Sequence, residues 1–163
     1  MPAPANVTMA SDREVVVTRE FDAPPALVYA AFTRPALVSR WLGGLPGWTM
    51  PVCEIDLRVG GKYRYRWRNE AEKQEFGFTG EYLTIEPERR IVHSESFDGA
   101  ENMPPSHCTL TFETVGQRTR TVYSIRYDSK ADCEAAIATG MTDGMEISYK
   151  QLDDLLLDKS ATA

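Results

Sequence analysis

The stretch Lys62-Tyr63-Arg64-Tyr65-Arg66-Trp67-Arg68 alternates strictly between basic and aromatic residues. Successive side chains of a strand point to opposite faces, so Tyr63, Tyr65 and Trp67 share one face and Lys62, Arg64, Arg66 and Arg68 the other. The pattern predicts a half-buried strand with an aromatic inner face and a solvated basic outer face balanced by nearby glutamates. Phe76 and Phe78, then Tyr82 beyond Gly80, supply a second aromatic row for the same inner face.

The same period of two extends in both directions from this segment. Residues 52–58, 62–69, 75–86, 90–98, 107–115 and 118–128 each read as strands, separated by short Gly-, Pro- and Asn-containing connections. Connections this short imply antiparallel hairpins, because parallel neighbours need a crossover of a dozen or more residues. Upstream, the β-branched run Arg13-Glu14-Val15-Val16-Val17-Thr18-Arg19-Glu20-Phe21 is a further strand, giving about seven. Pro24-Pro25 then opens a short helix carrying Leu27, Val28, Ala31 and Phe32, and Pro35 opens a second with Leu37, Val38, Trp41 and Leu42. The second is ended by Gly43-Gly44-Leu45-Pro46-Gly47, read as a flexible rim or lid. Ser129-Lys130-Ala131-Asp132 resembles a capping box, and one long helix is expected from there to about Leu157, with Ile137, Met141, Met145, Tyr149 and Leu152 along a stripe. Gly140 and Gly144 inside it suggest close approach to the sheet or room for a guest. The order defines an α+β domain over residues 12–158, with flexible segments expected at 1–11 and 159–163.

A chain of 163 residues suits one domain, and 42% hydrophobic with 26% charged residues argues against disorder. The net charge of −6 opposes binding to phosphate backbones, so no nucleic-acid partner is expected. No apolar run approaches the ~20 residues of a membrane helix, and Met1–Ser11 does not read as a secretory leader. Cys53, Cys108 and Cys133, widely spaced and odd in number, fit reduced thiols, so a cytoplasmic location is expected.

Chemistry-bearing motifs are sparse. His93 and Glu95, two apart on a strand, share a face and are the candidates for an acid/base pair. The adjacent His107 and Cys108 point to opposite faces, and Cys53 and Cys133 lack ligand spacing, so no metal site is expected. Neither a G-x-S-x-G elbow nor a phosphate-binding glycine motif is present, and no cofactor is expected. The inner face instead reads as the wall of a cavity, with Trp41, Tyr63, Tyr65, Trp67, Phe78, Tyr82, Met141 and Met145 as candidate lining. Tyrosine hydroxyls and the Trp67 indole N–H are the expected polar anchors.

Several motifs in order carry a family resemblance: Glu20-Phe21-Asp22-Ala23-Pro24 with Val28-Tyr29-Ala30-Ala31-Phe32-Thr33, Pro35-Ala36-Leu37-Val38 with Trp41, Asp56 to Tyr63, Gly80-Glu81-Tyr82 with Ile85-Glu86-Pro87, and Gly140-Met141 with Gly144. Over roughly 15–157 the chain resembles the SRPBCC (START-like) superfamily, in the branch homologous to the activator of the 90-kilodalton heat-shock-protein ATPase. The resemblance implies a helix-grip fold, a curved antiparallel sheet around a long C-terminal helix with a deep cavity between them. Relatives include lipid and hormone carriers, polyketide aromatases and cyclases, and co-chaperone domains. Three functions stay open: a carrier of a small apolar or aromatic molecule, a cofactor-free cyclase, dehydratase or hydrolase, and a co-chaperone-like interaction module. The separate N-terminal domain of the true activators is not seen in this sequence, which counts against direct ATPase activation. Exposed strand edges make a homodimer reasonable.

Overall fold

The alternation at Lys62–Asn69 is realised as a strand buried on one face, with Tyr63 and Trp67 inside and Lys62, Arg64 and Arg68 outside. In the computed structural model, which describes residues 2–99 and 102–158, the chain runs β1 (Asn6–Ser11), β2 (Glu14–Phe21), α1 (Pro25–Thr33), α2 (Pro35–Trp41), β3 (Thr49–Ile55), β4 (Lys62–Asn69), β5 (Gln74–Glu86), β6 (Arg90–Phe97), β7 (Ser106–Val115), β8 (Arg118–Arg126), α3 (Lys130–Ala138) and α4 (Met141–Leu157). The strands form one open antiparallel sheet in the order β1-β2-β8-β7-β6-β5-β4-β3. From β3 to β8 every strand pairs with its sequence neighbour, and β2 joins the far side against β8. The α1–α2 pair bridges β2 and β3, which lie at opposite sides of the sheet. This is an α+β helix-grip architecture.

The sheet has eight strands where the sequence suggested about seven. The extra one is Asn6–Ser11, within the segment expected to be a flexible arm. It pairs with β2 from Asn6 opposite Thr18 to Ser11 opposite Glu14. All six of its residues are exposed, so no buried half reveals the alternation. The other expected flexible segment, 159–163, lies outside the described residues.

The expected single C-terminal helix is two. Ser129 caps α3, its Oγ accepting from the Asp132 amide at 3.1 Å. The helix then stops because Gly140 takes a left-handed conformation with φ of +79°. Helix α4 restarts at Met141. Neither Gly140 nor Gly144 has a neighbouring atom within 4 Å of where a Cβ would sit, so neither marks a close approach to the sheet.

The densest packing lies where α4 crosses β2, α1 and α2. Phe21 meets Tyr149 edge-on at 5.5 Å between ring centres, Trp41 stacks on Tyr149 at 6.2 Å, and Phe32 packs on Trp41 at 4.9 Å. Phe21 and Leu152 are fully buried, and each contributes roughly 1.5–3 kcal/mol by leaving water. Along β2 the buried residues are Val15, Val17, Arg19 and Phe21, so an arginine occupies a core position. Its guanidinium meets Asp153 of α4 at 3.0 and 2.7 Å and Glu146 at 3.2 Å twice. It also lies 5.0 Å from the Phe21 ring centre. The sheet and α4 are therefore joined by a buried charge cluster as well as by apolar contact.

Candidate functional site

Register brings the inner-face groups together. Tyr63 lies opposite Gly80 of β5, and Gly80 lies opposite Glu95 of β6. A Cβ at Gly80 would collide with the Tyr63 ring. The missing side chain lets the ring lie across β5 and place its hydroxyl on the next strand but one. There Tyr63 Oη donates to Glu95 Oε2 at 2.5 Å and lies 3.1 Å from His93 Nδ1. His93 Nδ1 is also 3.1 Å from the Ser94 carbonyl oxygen, which places the ring proton on Nδ1. Nε2 is then an acceptor for the Tyr123 hydroxyl of β8, at 3.4 Å. The chain Tyr123–His93–Tyr63–Glu95 thus crosses the inner face from β8 to β6 and β4. Ser106 and Cys108 of β7 continue it, 3.7 Å apart, with Ser106 Oγ donating to the Glu95 backbone oxygen at 3.2 Å.

Burial sets the charge state of this chain. Desolvation lowers His93 to about 4, against the Ser94 hydrogen bond, so the imidazole is neutral at pH 7. Desolvation raises Glu95 to about 7, partly opposed by the Tyr63 hydrogen bond. Desolvation, with the Glu95 charge second, holds the Tyr63 phenol well above its ordinary value. Yet Glu95, Tyr65, Phe78 and Tyr123 each keep some accessible surface. These groups are thus strongly desolvated without being wholly closed off from solvent.

The sequence candidates separate into three groups. Tyr63, Tyr65, Phe78, Tyr82, His93 and Glu95 come together on β4–β6, with Tyr63 packed on Tyr65 at 4.9 Å, on Tyr82 at 5.6 Å and on His93 at 5.3 Å. Trp67 borders them, 6.1 Å from Tyr65 and stacked on Phe76 at 4.9 Å. Its indole N–H is bonded to the Leu42 carbonyl at 2.9 Å, so it is not the anchor for a guest that the sequence suggested. Trp41 lies apart in the packed core, its N–H bonded to Ala31 O at 2.8 Å. Met141 and Met145 begin α4: Met141 Sδ accepts from Tyr127 Oη at 3.5 Å, and Met145 packs against the core. Tyr123 and Ser106 were not singled out from sequence, and Cys108 figured only as a reduced thiol and a rejected metal ligand. The alternation Thr119, Thr121, Tyr123, Ile125 was the available signal for Tyr123.

Beside these residues the aromatic surface extends to more exposed rings. Phe97, 46% exposed, faces Phe78 at 5.3 Å, and Trp48 lies edge-on to Phe76 at 5.3 Å. Two members of the outer basic row are neutralised locally, Arg66 pairing with Glu75 at 2.8 Å and with Asp98, and Arg68 with Glu75 at 3.3 Å. Among the described residues no three of His, Cys, Asp and Glu converge as metal ligands, and no helix is long and apolar enough to cross a membrane.

An open antiparallel sheet, a bridging helix pair and a C-terminal helix over an aromatic inner face define the SRPBCC helix-grip class. The chain belongs to the Activator of Hsp90 ATPase homolog 1-like protein family, whose model matches residues 22–157. Among solved structures it is similar to a Rhodobacter sphaeroides protein, at 30% identity over 95% of this chain and 99% of that one, with a TM-score of 0.87. It is similar also to a Chromobacterium violaceum protein, at 29% identity over 87% of this chain and 96% of that one, with a TM-score of 0.70. A Mycobacterium smegmatis protein, at 22% identity over 94% and 97% of the two chains and a TM-score of 0.84, shares the fold. None of the curated proteins matches.

Proposed function

We propose that the inner face binds a small apolar or aromatic molecule between the sheet and α4. The observation that carries this reading is the Glu95–Tyr63–His93–Tyr123 chain, desolvated yet reached by water, set in a wall of Tyr65, Phe78 and Tyr82. Such a wall supplies contact area, and the few polar atoms orient what enters. Native mass spectrometry of the purified protein, before and after denaturing extraction, tests it. A mass surplus that is lost on extraction, or saturable uptake of an aromatic probe by the stripped protein, is expected. A bare mass together with no uptake of any apolar probe would refute it.

A second reading rests on the same geometry. A carboxyl near pH 7, hydrogen-bonded through Tyr63 to a neutral imidazole, can give and take a proton within one guest-bound complex. This arrangement would serve a cyclase, dehydratase or hydrolase acting on a bound aromatic. Turnover unchanged in a His93→Ala, Glu95→Gln double variant would remove both residues from such a mechanism.

A further inference from the structure

Among the described residues, the groups that face Glu95 from the neighbouring strands are uncharged in their stable forms. From β4 it faces Tyr63 and Tyr65, and from β5 Tyr82 and the bare backbone of Gly80. His93 accompanies it on β6, Ser106 and Cys108 on β7, Tyr123 on β8 and Tyr127 just beyond. Burial holds Tyr63, Tyr65, Cys108, Tyr123 and Tyr127 protonated and His93 neutral. From α4, Met141 and Met145 bring no charge, and Glu146 is already held by Arg19 at 3.2 Å. Arg64, Arg66 and Arg68 project from the opposite face of the sheet. Among the described residues no arginine or lysine forms an ion pair with Glu95, and Tyr63 Oη is the one side-chain donor to its carboxylate.

Once ionised, a desolvated carboxylate with a donor but no counter-ion has an unmet electrostatic requirement. Resting on the proposed binding role of this crevice, we infer that the natural guest is an aromatic or apolar molecule carrying a basic amine, whose ammonium group sits against Glu95. The surrounding tyrosine rings add to this preference, because their faces attract a cation. A guest carboxylate meets the opposite condition: it would lie beside a like charge with no cation to offset it. The crevice therefore sorts small aromatic molecules by charge, with amines favoured over alcohols and alcohols over acids.

Three matched probes, 2-naphthylmethylamine, 2-naphthylmethanol and 2-naphthoate, test the inference by titration calorimetry on the full chain at about pH 8, where the amine is still charged. We expect the amine to bind about tenfold or more tightly than the alcohol, and the carboxylate more weakly than either. Glu95→Gln, with folding verified by circular dichroism, should level the amine and the alcohol. The unmodified protein gives an independent reading: amine affinity should climb as pH rises through about 7, where Glu95 ionises, while alcohol affinity stays flat. Binding of the alcohol without any amine preference, or an amine preference that survives Glu95→Gln, overturns the charge inference and leaves the binding role intact. Failure of all three probes to bind overturns both.

Discussion

Replacing Arg19 with methionine removes the cation that holds both carboxylates, Asp153 and Glu146, and leaves only the exposed Lys150 as a cation acting on Glu146. Arg19 is 2% exposed; its guanidinium takes both oxygens of Asp153 at 3.0 and 2.7 Å and also donates to the Glu20 carbonyl at 2.9 Å. The Asp153 side chain is 5% exposed and that of Glu146 18%, so neither recovers full hydration when the arginine is lost. Breaking a buried pair by removing one partner costs about 3–5 kcal/mol. At a urea m-value of about 2 kcal/mol/M, that is a midpoint lowered by roughly 1.5–2.5 M. The loss should shrink in acid. Burial raises Glu146, but its hydrogen bonds from Arg19 and the Ala5 amide and the Arg19 charge outweigh that, leaving it below 4.5. A carboxylate lowered in the folded state stabilises above its unfolded pKa, and the contribution fades as pH falls through the folded value. The gap between the two proteins should therefore narrow below about pH 4.5. An all-apolar triple variant, Arg19→Met, Glu146→Leu, Asp153→Leu, should recover much of the single variant's loss. If the triple variant is no more stable than Arg19→Met alone, uncompensated charge is not the origin of the effect.

Three further outcomes follow from particular residues. Gly140→Ala should cost about 1–2 kcal/mol, because only glycine takes φ of +79° without strain, whereas Gly144→Ala, in open space within α4, should gain up to about 1 kcal/mol; thermal denaturation of the pair compares the signs. Gly80→Ala should cost about 1–3 kcal/mol and displace the Tyr63 ring from Glu95, seen as a shift of the Tyr63 ring resonances in NMR spectra. Glu95→Gln should alter the pH dependence of stability. With Glu95 raised from 4.5 to about 7, the folded state holds the extra proton between those values, so its contribution is full below pH 4.5 and lost as pH rises towards about 7. The variant should lack that decline, worth on the order of 3 kcal/mol, while His93, lowered to about 4, contributes its opposite slope to both proteins. Identical pH profiles for the two proteins would contradict the burial of Glu95.

Much of the architecture was legible because most of the strands have one wet face and one dry. Alternation at Lys62–Arg68 and along residues 107–115 separates the faces without any knowledge of partners. Asn6–Ser11 escaped because an edge strand exposed on both faces carries no such contrast. The break at Gly140 escaped because a glycine is tolerated inside a helical pattern, and only its φ distinguishes a stop from a passenger. Of the candidate site, the shared face of His93 and Glu95 was readable from their spacing, but their link to Tyr63 depends on the register of three strands and on the gap at Gly80. The charge cluster left a trace that was not read: Val15, Val17, Arg19 and Phe21 put an arginine in an apolar row, and such a residue needs carboxylates from elsewhere in the chain.

The three tryptophans have different neighbours, two buried and one partly exposed, and this gives the molecule a built-in set of optical reporters. Trp41 is stacked against Tyr149, so its emission should respond when α4 undocks. Trp67 lies beside Tyr65 and Phe78, where a guest would quench it or shift its colour. Trp48, partly exposed against Phe76 at the rim, should respond to changes in solvent there. With two of the three replaced by phenylalanine, each remaining indole separates helix release, changes at the β4–β6 aromatic face and changes at its exposed edge as distinct fluorescence signals, without any attached dye.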